Sequence, residues 1–207
     1  MFPMISMSVA IILFEGGLSL KISGLKHTGK VVRNLVTIGV IVTAIITSIA
    51  AYFLFDLEPN ISILLGAILV VTGPTVIIPL LKQIRLKPSL ASVLRWEGII
   101  IDPIGASFAV LIFEIIMAQG EKDVFSLVLV AVLGTILAGF VTGLFGAALL
   151  IIILKKRWIP EFLQETMTLV IVILVYSLSE VVQAEAGLWG VTILGIVLAN
   201  QSIVTIK

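Results

Sequence analysis

Long apolar runs separated by short polar connectors dominate the chain: residues 4–20, 35–55, 61–81, 90–117, 124–154, 166–182 and 188–199 are predominantly apolar. A helix needs about 20 such residues, rising about 1.5 Å each, to cross roughly 30 Å of hydrocarbon. The pattern therefore predicts seven membrane-spanning helices, the first to seventh spans. As a single helix the fifth run would be about 46 Å long, so it must tilt, bend at Gly134, Gly139, Gly143 or Gly146, or project beyond the bilayer. The seventh run is short and is expected to be cut or interfacial.

Composition narrows the class. Of 207 residues, 60% are hydrophobic and 12% charged, against roughly half and a quarter in soluble domains, which excludes a soluble globular domain. The reading is an all-α polytopic membrane protein embedded in the lipid bilayer, with no soluble domain. A net charge of +1 with basic residues scattered among connectors argues against nucleic acid as a partner. The absence of cysteine removes disulfides, thiol catalysis and cysteine-ligated metals. His27 sits in a basic connector without a second ligand nearby and reads as a surface residue. Met1-Phe2-Pro3 lacks the basic n-region of a signal peptide. It reads as the start of a span entered near its outer end.

Connector charge alternates along the chain. Lys21, Lys26, Lys30 and Arg33 fall in one connector, Lys82, Arg85, Lys87 and Arg95 in or beside the next but one, then Lys155, Lys156 and Arg157, and finally Lys207. The intervening connectors carry Asp56 and Glu58, then Glu121, Lys122 and Asp123, then Glu185. Twelve of the 13 basic residues thus share one side, which the positive-inside rule makes cytoplasmic. This places the N-terminus outside and residue 207 inside a cell (plasma or inner) membrane.

Polar chemistry inside the spans is concentrated in two places. The third span contains Thr72-Gly73-Pro74-Thr75, followed by Pro79. Proline has no amide hydrogen, so Pro74 and Pro79 free the carbonyls of Val70 and Thr75, and Gly73 adds flexible backbone beside two hydroxyls. Lipid cannot satisfy such groups, and broken helices of this kind build ion sites in transporters. A plain proline kink is the alternative. The fourth span contains Glu97 and Asp102-Pro103. Asp102 lies near mid-bilayer, where an ionised carboxylate costs several kcal/mol and marks a functional position. Pro103 is expected to kink this helix by disfavouring the α conformation at Asp102 and freeing the carbonyl of Ile99. A carboxylate beside free carbonyls is a hard oxygen site for an alkali cation or a proton; a buried structural ion pair is the alternative. Glu97 and Asp102 are about 140° apart on an ideal helix, so they share a site only if the helix distorts or the site lies between helices. Glu15, Glu114 and Glu180 lie near span ends, where connector partners or a solvated face explain them.

These motifs resemble those of the monovalent cation:proton antiporters of the NhaP-like sodium/proton exchanger group. Phe14-Glu15-Gly16-Gly17-Leu18 is similar to that family's Phe-x-x-Gly-Leu segment, Thr72-Gly73-Pro74 to its broken-helix Thr-Asp-Pro motif, and Glu97 to Asp102 to its Glu-x-x-x-Asn-Asp motif. The resemblance implies an inverted-repeat fold of about thirteen helices, of which this partial chain supplies about seven, with residues 35–117 resembling the first half of the ion-binding bundle. It further implies a transporter rather than an enzyme, exchanging Na+ or K+ for protons with no cofactor and working as a homodimer in the full-length protein. Asp102 would bind cation and proton in competition, with Glu97 and Thr72 as further ligands of the transient metal ion and Gly73, Pro74, Thr75 and Pro103 as broken-helix backbone. A cation channel, a solute carrier without ion coupling, and an inactive fragment are the other readings. Two departures stand out: Ile101 replaces the motif's Asn and Gly73 its Asp. Losing both halves of a buried polar pair can be nearly neutral, whereas losing one strands the other at a cost of about 1–3 kcal/mol.

Overall fold

The computed structural model describes residues 2–84, 86–118, 124–156 and 159–201. The connector charges at Arg85, Glu121, Lys122, Asp123, Arg157 and Lys207 lie outside the described residues. Within them the chain is helical almost throughout: α1 (Phe2–Leu18), α2 (Ile22–Asn34), a π turn (Leu35–Gly39), α3 (Val40–Phe55), α4 (Pro59–Ile68), α5 (Pro74–Gln83), α6 (Pro88–Met117), α7 (Val124–Lys155), α8 (Gln164–Val182) and α9 (Ala186–Asn200). Four helical stretches are long and apolar enough to cross a membrane: Thr28–Phe55, Pro88–Met117, Ser126–Lys155 and Gln164–Val182. The apolar helices Ile5–Leu18, Pro59–Ile68 and Ala186–Asn200 are shorter. The first and seventh predicted spans are therefore short helices, and the third is two ten-residue pieces, α4 and α5.

The chain divides into two compact units, a central one (Gly24–Leu133) and a terminal one (Met1–Ser23 with Gly134–Lys207). In the central unit the first basic connector is itself a helix. Along α2, Thr28 and Val32 are buried while Lys30 and Arg33 are exposed. One apolar stripe among so many polar residues carries too little mean hydropathy to register as a span, but its spacing suits a helix. The π turn joins α2 to α3, and the helix then ends at Asp56, whose φ of 52° is left-handed. Pro59 opens α4 at a first-turn position, where its missing amide costs nothing. The buried Ser62 hydroxyl donates to the Glu58 carbonyl at 3.0 Å. Gly66 lets α4 lie directly on α3: a Cβ there would come within 2.6 Å of the Ala44 carbonyl oxygen.

Asp102 is helical, against the preference expected of a residue before proline, and Pro103 lies inside a helix that runs on for 30 residues. A proline removes one backbone hydrogen bond. Burial of Ile101, Pro103 and Gly105 supplies packing that outweighs the local preference at the residue before proline. The unwound backbone belongs to the α4–α5 junction.

The terminal unit has a core of Leu13 and Phe14 from α1, Leu150 and Leu154 from α7, Ile171 and Val172 from α8, and Val191 and Leu194 from α9. α7 remains one helix of 32 residues. Gly139 serves contact rather than bending, since a Cβ there would lie 2.7 Å from the Ala186 carbonyl oxygen of α9. Between α7 and α8, the Thr142 and Ser179 hydroxyls are 2.6 Å apart. Asn200 ties the end of α9 to the α1–α2 junction: its Nδ2 donates to the Leu20 carbonyl at 2.8 Å and its Oδ1 accepts from the Ile22 amide at 2.7 Å.

Glu180 is also corrected, from a solvated face to a helix cap. Its carboxylate oxygens accept from the backbone amides of Glu185 at 3.2 Å and Gly187 at 3.0 Å, at the N-terminus of α9, where amides lack helical partners and negative charge is favoured. Glu185 sits in the adjoining turn with φ 65°. Burial, and secondarily the Glu180 charge, pushes its carboxyl above the usual range. A carboxyl raised on folding is held more tightly protonated in the native state, so its ionisation penalises folding as pH rises past the ordinary value of 4.5. Glu185→Gln is therefore expected to melt at a higher temperature than the parent at neutral pH. The difference should vanish below about pH 4, where both forms are uncharged; a constant difference across pH would argue against this account.

Candidate functional site

Thr72 and Gly73 of the third span and Glu97 and Asp102 of the fourth converge where α4 and α5 separate. α4 stops at Ile68, and after Leu69 and Val70 the backbone is irregular through Gly73. Gly73 has φ 64° and ψ 129°, a conformation open to glycine and strained for residues with a Cβ. Pro74 then starts α5 at the first helical position, and Pro79 lies inside it. The break thus has a local cause: glycine permits the turn, proline cannot continue the preceding helix, and proline's fixed φ suits the next one. The side chains of Pro74 and Thr75 lie outside the described ones.

Opposite the break, α6 presents both carboxylates. The Thr72 hydroxyl donates to Glu97 Oε1 at 3.1 Å. The backbone amide of Gly73 lies close to the Asp102 carboxylate, and the Glu97 charge is near enough to act on it. The angular separation on α6 is therefore bridged by a site lying between helices. Asp102 Oδ1 is buried and has no hydrogen-bond partner among the described residues. A buried acceptor without a donor costs about 1–3 kcal/mol, so this oxygen is an unsatisfied hard acceptor facing the break. Thr72, Glu97, Asp102 and Gly73 are brought together. Pro103 is buried one residue beyond Asp102 on α6 and does not open the backbone as the break does.

Among the described residues, no group of three or more His, Asp, Glu or Cys side chains is assembled. The available donors are two carboxylates, a hydroxyl and backbone. All are hard oxygen ligands, of the kind alkali cations favour over the nitrogen and sulfur sets that hold zinc or copper. His27 lies on α2, its side chain outside the described ones. The Gly73 amide is the contact that the sequence pattern did not reveal. A glycine before proline signals a turn, but the carboxylate it meets depends on how two helices cross.

The fold and the site define an all-helical, polytopic membrane protein with a broken helix set against intramembrane carboxylates. The chain belongs to the sodium/hydrogen exchanger family, whose model, described as "Sodium/hydrogen exchanger, transmembrane", matches residues 4–205. It is 26% identical over 194 residues to a K(+)/H(+) antiporter NhaP2 of Shewanella oneidensis, covering 94% of this chain and 34% of that protein. A probable Na(+)/H(+) antiporter 2 of Methanocaldococcus jannaschii is 28% identical over 138 residues, covering 65% of this chain and 32% of the relative. Na(+)/H(+) antiporter 1 of the same organism is 35% identical over 100 residues, covering 45% and 22% respectively. The chain thus spans about a third of the length of the first of these relatives.

Proposed function

We propose that this chain supplies the carboxylate half-site of a secondary transporter that exchanges Na+ or K+ for protons, with Asp102 binding cation and proton in competition. The buried, unpartnered Oδ1 of Asp102 at the helix break is the observation that carries the reading. A protonated carboxyl has lost the charge that holds a cation, and a bound cation occupies the oxygen that would take the proton. If Asp102 is the group that exchanges, each cycle swaps one positive charge for another and transport is electroneutral. Glu97 and the Thr72 oxygen line the same space, while the Gly73 amide orients the Asp102 carboxylate.

Residues 35–117 would form half of an ion-binding bundle that rocks against the rest of a homodimeric full-length protein. The alternating connector charge supports an N-terminus outside and residue 207 on the cytoplasmic side of the cell membrane. The names of the relatives, which include both K(+)/H(+) and Na(+)/H(+) antiporters, support exchange while leaving the choice of cation to measurement. The test is proton movement in proteoliposomes containing the full-length protein, followed with a pH-sensitive dye as Na+ or K+ is added. Proton release coupled to one or both cations supports exchange. Cation flux without proton movement would make the protein a channel or uncoupled carrier.

Thr72→Val keeps the shape and removes the hydroxyl. Loss of one hydrogen bond worth about 1 kcal/mol, together with a cation ligand, is expected to weaken apparent cation affinity several-fold at nearly unchanged maximal rate. An unchanged affinity in cation titrations would leave Thr72 a purely structural part of the break.

A further inference from the structure

Asp102 shares its face of α6 with two glycines. Gly98 is four residues before it and Gly105 three after, spacings that stack on one side of a helix. Both glycines are buried, and each faces a side chain from the broken segment. A Cβ on Gly98 would overlap Cδ1 of Ile77 on α5, with the next atoms of Ile77 at 3.5 and 3.6 Å. A Cβ on Gly105 would overlap Cγ2 of Val71, with Cβ and Cα of Val71 at 3.7 and 3.9 Å. Val71 precedes Gly73 and Ile77 follows it, so the two contacts hold the unwound backbone from either side, with the Gly73 amide and Asp102 between them.

We propose that Gly98 and Gly105 are positioning residues for the ion site: two notches on α6, filled by Ile77 and Val71, that fix the distance between the Asp102 carboxylate and the α4–α5 break. The proposal rests on the exchange reading above and adds what sets the width of the site. Their role is neither ligation nor backbone freedom, since both lie within a regular helix; it is the removal of a methyl group's thickness at two points of contact. Alanine at either notch would push against the Ile77 or Val71 side chain, a shift that on this proposal carries through to the Thr72–Gly73 backbone beside Asp102. Displacements of about 1 Å can cost about a hundredfold in activity.

The experiment compares Gly98→Ala and Gly105→Ala with the double variants Gly98→Ala/Ile77→Val and Gly105→Ala/Val71→Ala, in full-length protein reconstituted at matched folded amounts. Each partner truncation deletes the atom that overlaps and leaves ordinary contact for the new methyl group. Expected is a rise of about tenfold or more in the cation concentration giving half-maximal exchange for each alanine variant, with a smaller change in maximal rate, and recovery of most of the loss in the matched double variant. An unchanged half-maximal concentration, or a loss not relieved by its own partner truncation, would overturn the proposal. Should an alanine variant fail to accumulate as folded protein, Ile77→Val and Val71→Ala alone decide. Each empties a notch and should itself weaken cation affinity, so unchanged affinity overturns the proposal there too. Parent traces showing cation flux without proton movement would sink the exchange reading instead, and the notch effect would still be read from cation flux.

Discussion

Asp102→Asn is expected to reduce cation-coupled proton movement to the level of protein-free vesicles while leaving the amount of folded protein unchanged. Asparagine has nearly the volume of aspartate and keeps a carbonyl oxygen on the side of the nearby Gly73 amide, so packing around α6 is preserved. It can neither take up a proton nor offer a full negative charge to a cation, and competition between the two ends. Removing a buried charge also removes the cost of keeping it from water, so thermal stability in detergent should hold or rise. That combination, intact fold with no exchange, separates a transport role from a structural ion pair, for which loss of the charge would leave exchange running. Coupled flux near parental level in Asp102→Asn would remove Asp102 from the mechanism.

The second large effect is expected at Gly73→Val. A β-branched residue at φ 64°, ψ 129° meets a strain of about 1–3 kcal/mol, which the junction relieves most easily by rotating the Thr72–Gly73 segment. Rotation turns the Gly73 amide away from Asp102 and draws Thr72 from Glu97, so both polar contacts of the site are lost together. Exchange should fall at least tenfold, since misplacing donors that orient a reacting group costs on that order or more. Gly73→Ala, with less steric demand, should lie between valine and the parent. Parental cation affinity in the valine variant would show that the site does not need this backbone geometry.

How much of this was legible depended on whether the cause was local. Gly73-Pro74 and Asp102 stand out because a turn-former or a charge inside an apolar run breaks its surroundings, and no knowledge of distant contacts is needed to see it. The helix over Ile22–Asn34 was hidden for the opposite reason: its amphipathic spacing is diluted by lysines, an arginine and a histidine. Asp102 is helical although Pro103 follows it, because the preference of the residue before a proline is a dipeptide property and the packing of Ile101 and Gly105 overrides it. Glu180 was read as solvated from its place at the end of a span, while its partners are amides at the start of the following helix. The meeting of Gly73 with Asp102 was out of reach for the same reason, being a property of a helix crossing.

The Thr72–Glu97 contact has a directional consequence. An ionised Glu97 can only accept, so the single hydroxyl hydrogen of Thr72 is committed to it at 3.1 Å and the hydroxyl's lone pairs face elsewhere, free to meet a positive ion. Once Glu97 is neutralised by a proton, it can donate instead; the Thr72 hydrogen is then released, and a hydrogen pointing at the ion repels what a lone pair attracts. On the proposed exchange reading, the orientation of one O–H bond therefore makes cation affinity at the break depend on the charge of Glu97.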